Sequence, residues 1–334
     1  MDIVPLIRKL VDIESTTANE GQVGYFLLEE LRRLGYNVQR MVAEGERANV
    51  YATAPQQPQP KVAFSTHMDT VPPFIASSED ERCIYGRGSC DAKGIIAAQI
   101  AAAERLREEG IYVGLLFLVG EERDSLGAKV ANQQPNSCKF LINGEPTENR
   151  VATASKGALR VELTATGRMA HSAYPELGES AIDKLLNALD HIRKIRLPHD
   201  DVLGPSTLNI GTIQGGRAPN VIPDEAKAEI FIRLVGDSAS TKEALARAGA
   251  AAGVEMNFVL EIPAVRLKAV EGLPTTVVAY TTDIPAFGGA WGQPLLLGPG
   301  TIHVAHTLEE RVPKKQLREA VELYQHLVRQ LQAQ

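Results

Sequence analysis

Residues 63–73 read AFSTHMDTVPP, and the fold turns on how this stretch is parsed. An apolar run gives way to Ser65, Thr66 and His67, then to Asp69, and stops at Pro72 and Pro73. Short apolar runs closed by turn residues mark buried strands. The polar end therefore sits where a strand stops, and in open α/β sheets the carboxyl ends of strands border the binding crevice. His67 is then either a metal ligand backed by Asp69 or half of an ordinary polar pair at a strand end.

The surrounding pattern predicts a sheet covered by helices. Apolar residues recur at helical spacing from Asn19 to Leu34, with Gly35 as a stop and YNVQRMV as an extended run after it. ANVYATA and KVAFSTH flank a Pro/Gln-rich segment at residues 55–60, which reads as a hairpin or a short surface crossing. GIIAAQIAAAERLREEG is an Ala-rich helix ending at Gly110, while IYVGLLFLVG and KFLINGE look like strands buried on both faces. Strands alternating with helices imply an α/β architecture with helices on both sides of the sheet.

Near Ser155 the pattern changes to β-α-β-β-α-β. GALRVELTATG, STLNIGTIQGG, DEAKAEIFIRLVG and VEMNFVLEI are the strands; SAIDKLLNALDHIRKI and STKEALARAGAAAG are the helices. That is the ferredoxin-like order. A small domain at residues 155–263 is expected to interrupt a larger one made of residues 1–154 and 264–334. After Pro263 the α/β pattern resumes with TTVVAYT and QPLLLGPG, and ends in a long helix from Pro313.

A length of 334 residues accommodates two such domains. The formal charge of -6, with no cluster of Lys and Arg, argues against nucleic-acid and anionic-membrane partners and leaves small polar substrates. Cys83, Cys90 and Cys138 form neither a paired framework nor a metal motif, which points to a reducing compartment. The amphipathic start, MDIVPLIRKLVDIEST, fits neither a signal peptide nor a membrane span. A soluble, cytoplasmic protein is the expectation.

Histidine, aspartate and glutamate gather where strands are predicted to end: His67 and Asp69, Glu121 and Glu122, Glu145, and His306, with Asp91 in the turn GRGSCDAKG. Two imidazoles with several carboxylates suit zinc or a similar divalent ion, and one carboxylate beyond the need of a single ion suggests two. A pair of ions can share a bridging carboxylate, for which Asp91 is the candidate, and activate water against a carbonyl. Asp69 is placed to accept the other N–H of His67. Adjacent Glu121 and Glu122 repel unless their roles differ; Glu122 is read as a ligand and Glu121 as the general base. Taken singly, an H-x-D is commonly a surface pair and a Glu-Glu a solvated helix start. Their order along the chain makes the case.

These segments resemble the dizinc amidohydrolases and metallopeptidases that include acetylornithine deacetylase, succinyl-diaminopimelate desuccinylase, aminoacylase and glutamate carboxypeptidase. The resemblance spans the chain and rests on STHMDTVPP, YGRGSCDAKG, LVGEERDSLGAK, INGEPT, GRMAHSAYPELGESAI, GGRAPNVIPDEAKAEIFIR and GPGTIHVAHTLEERV. It implies a zinc-exopeptidase-like catalytic domain and a lid that forms a homodimer. His67 and Glu145 would hold one zinc and Glu122 and His306 the other, with Asp91 between them and Glu121 as base; cobalt or manganese could replace zinc. It further implies that His171 reaches the partner subunit's site to stabilise an oxyanion, that Asn220 and Arg233 contact polar groups of the substrate, and, on thinner grounds, that Arg217 meets a substrate carboxylate. Gly298 and Gly300 would shape a loop near the metals.

The departures fall on the substrate side. Glu309 in HTLEE stands where relatives often carry Asn or Asp, GPGT has a threonine where an acid is common, and residues 263–283 form a short connection. The leading expectation is a deacylase that cleaves the amide bond of an N-acyl amino acid, as in amino-acid biosynthesis. The alternatives are a dipeptidase or carboxypeptidase, a hydrolase that releases an amino acid from a carrier protein, and a catalytically inactive dimeric binding protein.

Overall fold

In the computed structural model, which describes residues 2–134 and 136–334, Val62–His67 is a fully buried strand. Its side chains alternate between two apolar layers. Val62 and Phe64 join Ile96, Ile100, Leu317 and Tyr324 on one face, whereas Ala63 joins Leu116, Leu118, Ala128 and Trp291 on the other. Burying a ring such as Phe64 contributes about 2–3 kcal/mol, so both faces of this strand are energetically committed. The first layer comes from helices Ile3–Val11, Gly21–Arg33, Lys93–Glu108 and Lys314–Gln332, and the second from Leu126–Asn132 and the short 3-10 turn Ile284–Phe287. Alanines at 97, 98, 101, 102 and 103 let Lys93–Glu108 lie close to its neighbours.

The sheet is mixed. Val62–His67 runs parallel to Gly114–Leu118 on one side and to Phe140–Asn143 on the other, and Gln293–Leu296 extends the parallel set. Arg47–Thr53 is antiparallel to Gly114–Leu118, with Asn37–Glu44 antiparallel beyond it. Of the two readings of residues 55–60, the structure has the crossing and not the hairpin, because Gly114–Leu118 stands between the two strands that flank that segment. The hairpin of this edge is Asn37–Glu44 with Arg47–Thr53, turning at Gly45, whose φ is +56°. A central position buries Val62–His67 on both sides, which its unbroken apolar start favours over an edge.

The chain divides into two units. The first comprises Met1–Thr153, Leu267–Thr276 and Thr282–Gln334; the second comprises Ala154–Arg266 and Val277–Thr281. Ala154, residues 264–266 and Val277–Thr281, placed in the larger domain by the sequence pattern, thus fall in the second unit. Its sheet has the order Thr207–Gly215, Glu225–Leu234, Gly157–Thr166, Val254–Ile262, antiparallel throughout. Helices Ala181–Arg193 and Ser238–Ala252 cover the alternate residues Leu159, Val161, Leu163, Ile230 and Ile232 with Leu185, Leu189 and Leu245. Ser180 caps the first of these helices by accepting from Asp183 N, and Gly253, at φ +68°, closes the second. This is the ferredoxin-like arrangement. Among the described residues no helix is long and apolar enough to cross a membrane.

Candidate metal centre

His67 is the last residue of its strand, and the polar residues before it fix where it points. Asn143 Nδ2 donates to Ser65 Oγ at 3.0 Å, Gln99 Nε2 donates to the Ser65 carbonyl at 2.9 Å, and Thr66 Oγ1 donates to the Gly144 carbonyl at 2.8 Å. Hydroxyls in a buried strand are thereby satisfied, and the end of Val62–His67 is bound to the turn that carries Glu145. Gly144 is required there: a Cβ would crowd Ile95 and come within 2.6 Å of Gln99 Nε2. At Gly298 a Cβ would come within 2.5 Å of the Glu145 carbonyl oxygen. The glycine thus lets the QPLLLGPG segment approach Glu145.

Four of the expected ligands meet. Asp91 stands between the histidines, its Oδ1 3.0 Å from His67 Nε2 and its Oδ2 3.5 Å from His306 Nε2. His306 Nε2 is also 2.9 Å from Glu122 Oε1. Ligand atoms of His67, Asp91 and Glu122 lie within 4.8 Å of one another, as a shared ion requires. Glu145 is buried, and its Oε1 has no hydrogen-bond partner among the described residues. An orphaned buried acceptor is costly, and a cation would satisfy it.

The electrostatics point the same way. Burial, and after it the charge of Glu145, pushes the Glu121 carboxyl well above its usual value. Burial likewise raises Glu145 and Glu122. For Asp91 burial opposes ionisation, but hydrogen bonds with His306 and His67 outweigh it and hold the group below the usual carboxylate range. His306, bonded to Asp91 and Glu122, is pushed up to about 10. So many carboxylates in one buried place need protons or cations between them. With two imidazoles the donor set fits zinc or a similar divalent ion.

Asp69 does more than stand behind His67. His67 Nδ1 lies 3.0 Å from the Asp69 backbone carbonyl and 3.5 Å from Oδ1 of its carboxylate. That carboxylate accepts the Glu121 N–H on Oδ1 at 3.1 Å and the Glu122 N–H on Oδ2 at 3.2 Å. It therefore holds the backbone of both glutamates.

Glu310 is also buried. Its Oε1 accepts the N–H groups of Gly88, Cys90 and Asp91 at 2.9, 3.2 and 3.1 Å, and its Oε2 accepts Arg87 Nη1 at 2.5 Å. Sequence reasoning fixed on the neighbouring Glu309, which is exposed, and passed over Glu310. A glutamate closing a loop many residues from its partners leaves no periodic trace.

Asp283 was also missed. It is buried, both its carboxylate oxygens lack a well-formed hydrogen bond, and it lies within electrostatic reach of Glu121 and Glu145. Burial pushes it up to about 7, although the Ser125 hydroxyl alongside opposes the rise. The folded chain thus holds this proton more tightly than the unfolded chain does, so ionising Asp283 detracts from stability increasingly as pH climbs from about 4 to about 7. Asp283→Asn should stabilise metal-free protein by about 2 kcal/mol at pH 8 and by much less at pH 5. Thermal unfolding in chelator at the two pH values checks this, and equal shifts would contradict it.

The second unit carries the remaining expected residues. His171 is exposed, and its Nδ1 accepts the Ala173 N–H at 3.1 Å. Ala170–His171 pairs antiparallel with Val221–Ile222, and the Ser172 N–H donates to the Asn220 carbonyl at 3.0 Å, so the MAHSAYP and RAPNVIP segments lie side by side. Arg217 is engaged by Asp224 at 3.0 Å, and Arg233 stacks over the Phe231 ring at 4.7 Å. In the first unit, Gly300, at φ +87°, donates its N–H to Gln316 Oε1 at 2.8 Å.

Residues 153–252 match the model of a peptidase dimerisation domain. A peptidase M20 domain-containing protein of Schizosaccharomyces pombe is 39% identical over 98% of this chain and 84% of its own length. A probable carboxypeptidase of Talaromyces marneffei is 35% identical over 98% of this chain and 86% of its own. Among solved structures, a tripeptidase from Staphylococcus aureus superposes with a TM-score of 0.83 at 22% identity, covering 99% of this chain and 98% of that one. A dinuclear metal-binding M20 peptidase of Bacillus subtilis superposes with a TM-score of 0.71 at 14% identity, covering 98% and 96%.

Proposed function

This chain belongs to the M20 peptidase family, and from that premise we propose that it is a metal-dependent exopeptidase, a carboxypeptidase or dipeptidase acting on short peptides. The observation that carries the reading is the convergence of His67, Asp91, Glu122 and His306 on one point. His67 and Glu145 would hold one divalent ion and Glu122 and His306 a second, with one oxygen of Asp91 turned toward each histidine. When bound, such ions polarise the scissile carbonyl and acidify water. Zinc suits the donor set, and cobalt or manganese would be accepted by it.

The chain's own residues do the rest. Glu121 takes the proton of the attacking water on its carboxylate and passes it to the leaving nitrogen. Burial beside Glu145 raises its carboxyl above the usual value, which makes the ionised group a stronger base toward that water than a solvated carboxylate would be. Asp69 keeps Glu121 in place through its backbone N–H, and Glu310 does the same for Asp91. The match to a dimerisation domain supports a homodimer formed through the second unit, where His171 and Asn220 are held together by the pairing of their segments.

The curated carboxypeptidase similarity favours peptides, while hydrolysis of an N-acyl amino acid uses the same chemistry. A panel of dipeptides, tripeptides and N-acetyl amino acids, assayed with added zinc, separates the two. Release of the carboxyl-terminal residue from peptides is the expected result. Turnover of N-acetyl amino acids alone would replace the exopeptidase reading with the deacylase, and no turnover of anything with any divalent metal would leave a binding protein.

A further inference from the structure

A turn near the amino terminus, outside every motif considered above, reaches this centre. Ser15 Oγ donates to the Met68 carbonyl at 2.8 Å, the Thr70 N–H donates to the Ser15 carbonyl at 3.0 Å, and the Thr17 N–H donates to the Thr70 carbonyl at 3.1 Å. Residues 15–17 therefore run alongside Met68–Thr70, the segment that continues from His67. From this strap Thr17 Oγ1 donates to Asp69 Oδ2 at 2.8 Å. The same oxygen accepts the Glu122 N–H at 3.2 Å, and the other accepts the Glu121 N–H at 3.1 Å.

We propose that Thr17 is a positioning residue for the hydrolysis, acting through the Asp69 carboxylate on the backbone of Glu121 and Glu122; this rests on Glu121 being the base. A carboxylate side chain rotates easily about its last bond, and terminal torsions of this kind are broad. Asp69 must present one oxygen to each of two successive N–H groups, and both bonds are long. The hydroxyl bond from Thr17 is the shortest that its carboxylate makes, so it sets the plane in which the two oxygens lie. Without it the carboxylate can turn, the Glu121 N–H loses its anchor, and the base drifts. A displacement on the order of 1 Å at a reacting group can cost about a hundredfold in rate, and loss of an outer partner of a metal site typically costs about 10–100-fold. Thr17 acts at one further remove, which places its effect near the lower figure.

Thr17→Val keeps the shape and removes the donor, and because the side chain is only partly buried the fold should tolerate it. Thr17→Ser keeps the donor. Zinc-loaded wild type, both variants and Glu121→Gln would be compared on the preferred peptide for kcat and KM. Zinc content and amide exchange at residues 121 and 122 of the full-length protein would be measured alongside. The expected result for Thr17→Val is a roughly tenfold fall in kcat with KM and zinc content unchanged and faster exchange at those two amides; Thr17→Ser should restore all of these. Wild-type kcat in Thr17→Val, a loss that serine does not restore, or a loss without faster exchange would each overturn the proposal. Full activity in Glu121→Gln would instead overturn the assignment of the base, and the role of Thr17 with it.

Discussion

Glu121→Gln should lower kcat by about three orders of magnitude while leaving the bound metal and KM close to wild type. General base catalysis contributes roughly 10²–10⁴-fold, and glutamine has neither a lone pair basic enough to take a proton nor an acid to return it. Of the adjacent glutamates, Glu122 is the one whose carboxylate touches His306, at 2.9 Å. Glu121 shares its neighbour's anchorage on Asp69 through the backbone, which an amide side chain leaves intact. The variant should therefore fold and load normally. Steady-state kinetics with elemental analysis of the purified variant checks the prediction. Parallel loss of metal would make Glu121 a ligand, and a kcat within a few-fold of wild type would remove the base altogether.

Asp91→Ala should be as severe for a different reason. Its carboxylate faces both histidines, Oδ1 toward His67 and Oδ2 toward His306. Removing it deletes one negative charge from a buried place and leaves each imidazole without its common partner. The expected outcome is loss of at least one bound ion per chain and activity below about a thousandth of wild type, with no recovery in excess zinc. Wild type stripped with a chelator should lose activity and regain it on adding zinc or cobalt. A variant that retains its full metal complement would show that Asp91 does not bridge. Asn in place of Ala would keep the volume but not the charge, and should fall between the two.

Much of this centre was legible in the sequence because its residues follow apolar runs. His67 ends VAFSTH, Glu121 and Glu122 follow LLFLVG, and Glu145 follows FLING; a buried strand betrays its own end, and polar groups there need a purpose. The second unit was readable for a similar reason, since its strands alternate apolar and polar residues over much of their length.

Strand pairing was not. The Pro/Gln segment at 55–60 looks the same whether it closes a hairpin or skips over a strand, and the outcome depends on Gly114–Leu118, far along the chain. Thr17, Asp283 and Glu310 escaped for the same physical reason. Each reaches the site from a loop, by contacts that only tertiary structure creates. Asp69 was identified as a partner of His67, but its further contacts were not legible: its side chain supports the Glu121–Glu122 backbone, and its carbonyl lies 3.0 Å from His67 Nδ1.

The first unit is discontinuous, with Gln293–Leu296 lying parallel to Phe140–Asn143 although the second unit separates them in sequence. On a ribosome this imposes an order of events. Elongation at roughly 5–20 residues per second leaves on the order of ten to thirty seconds between the emergence of Glu145 and that of His306. For that interval the nascent chain carries His67, Asp91, Glu122 and Glu145 with no fourth parallel strand beside them, while the contiguous body of the second unit is already free to collapse. At the proposed centre a divalent ion caught early would meet an incomplete set of donors, and loading would wait for the finished polypeptide.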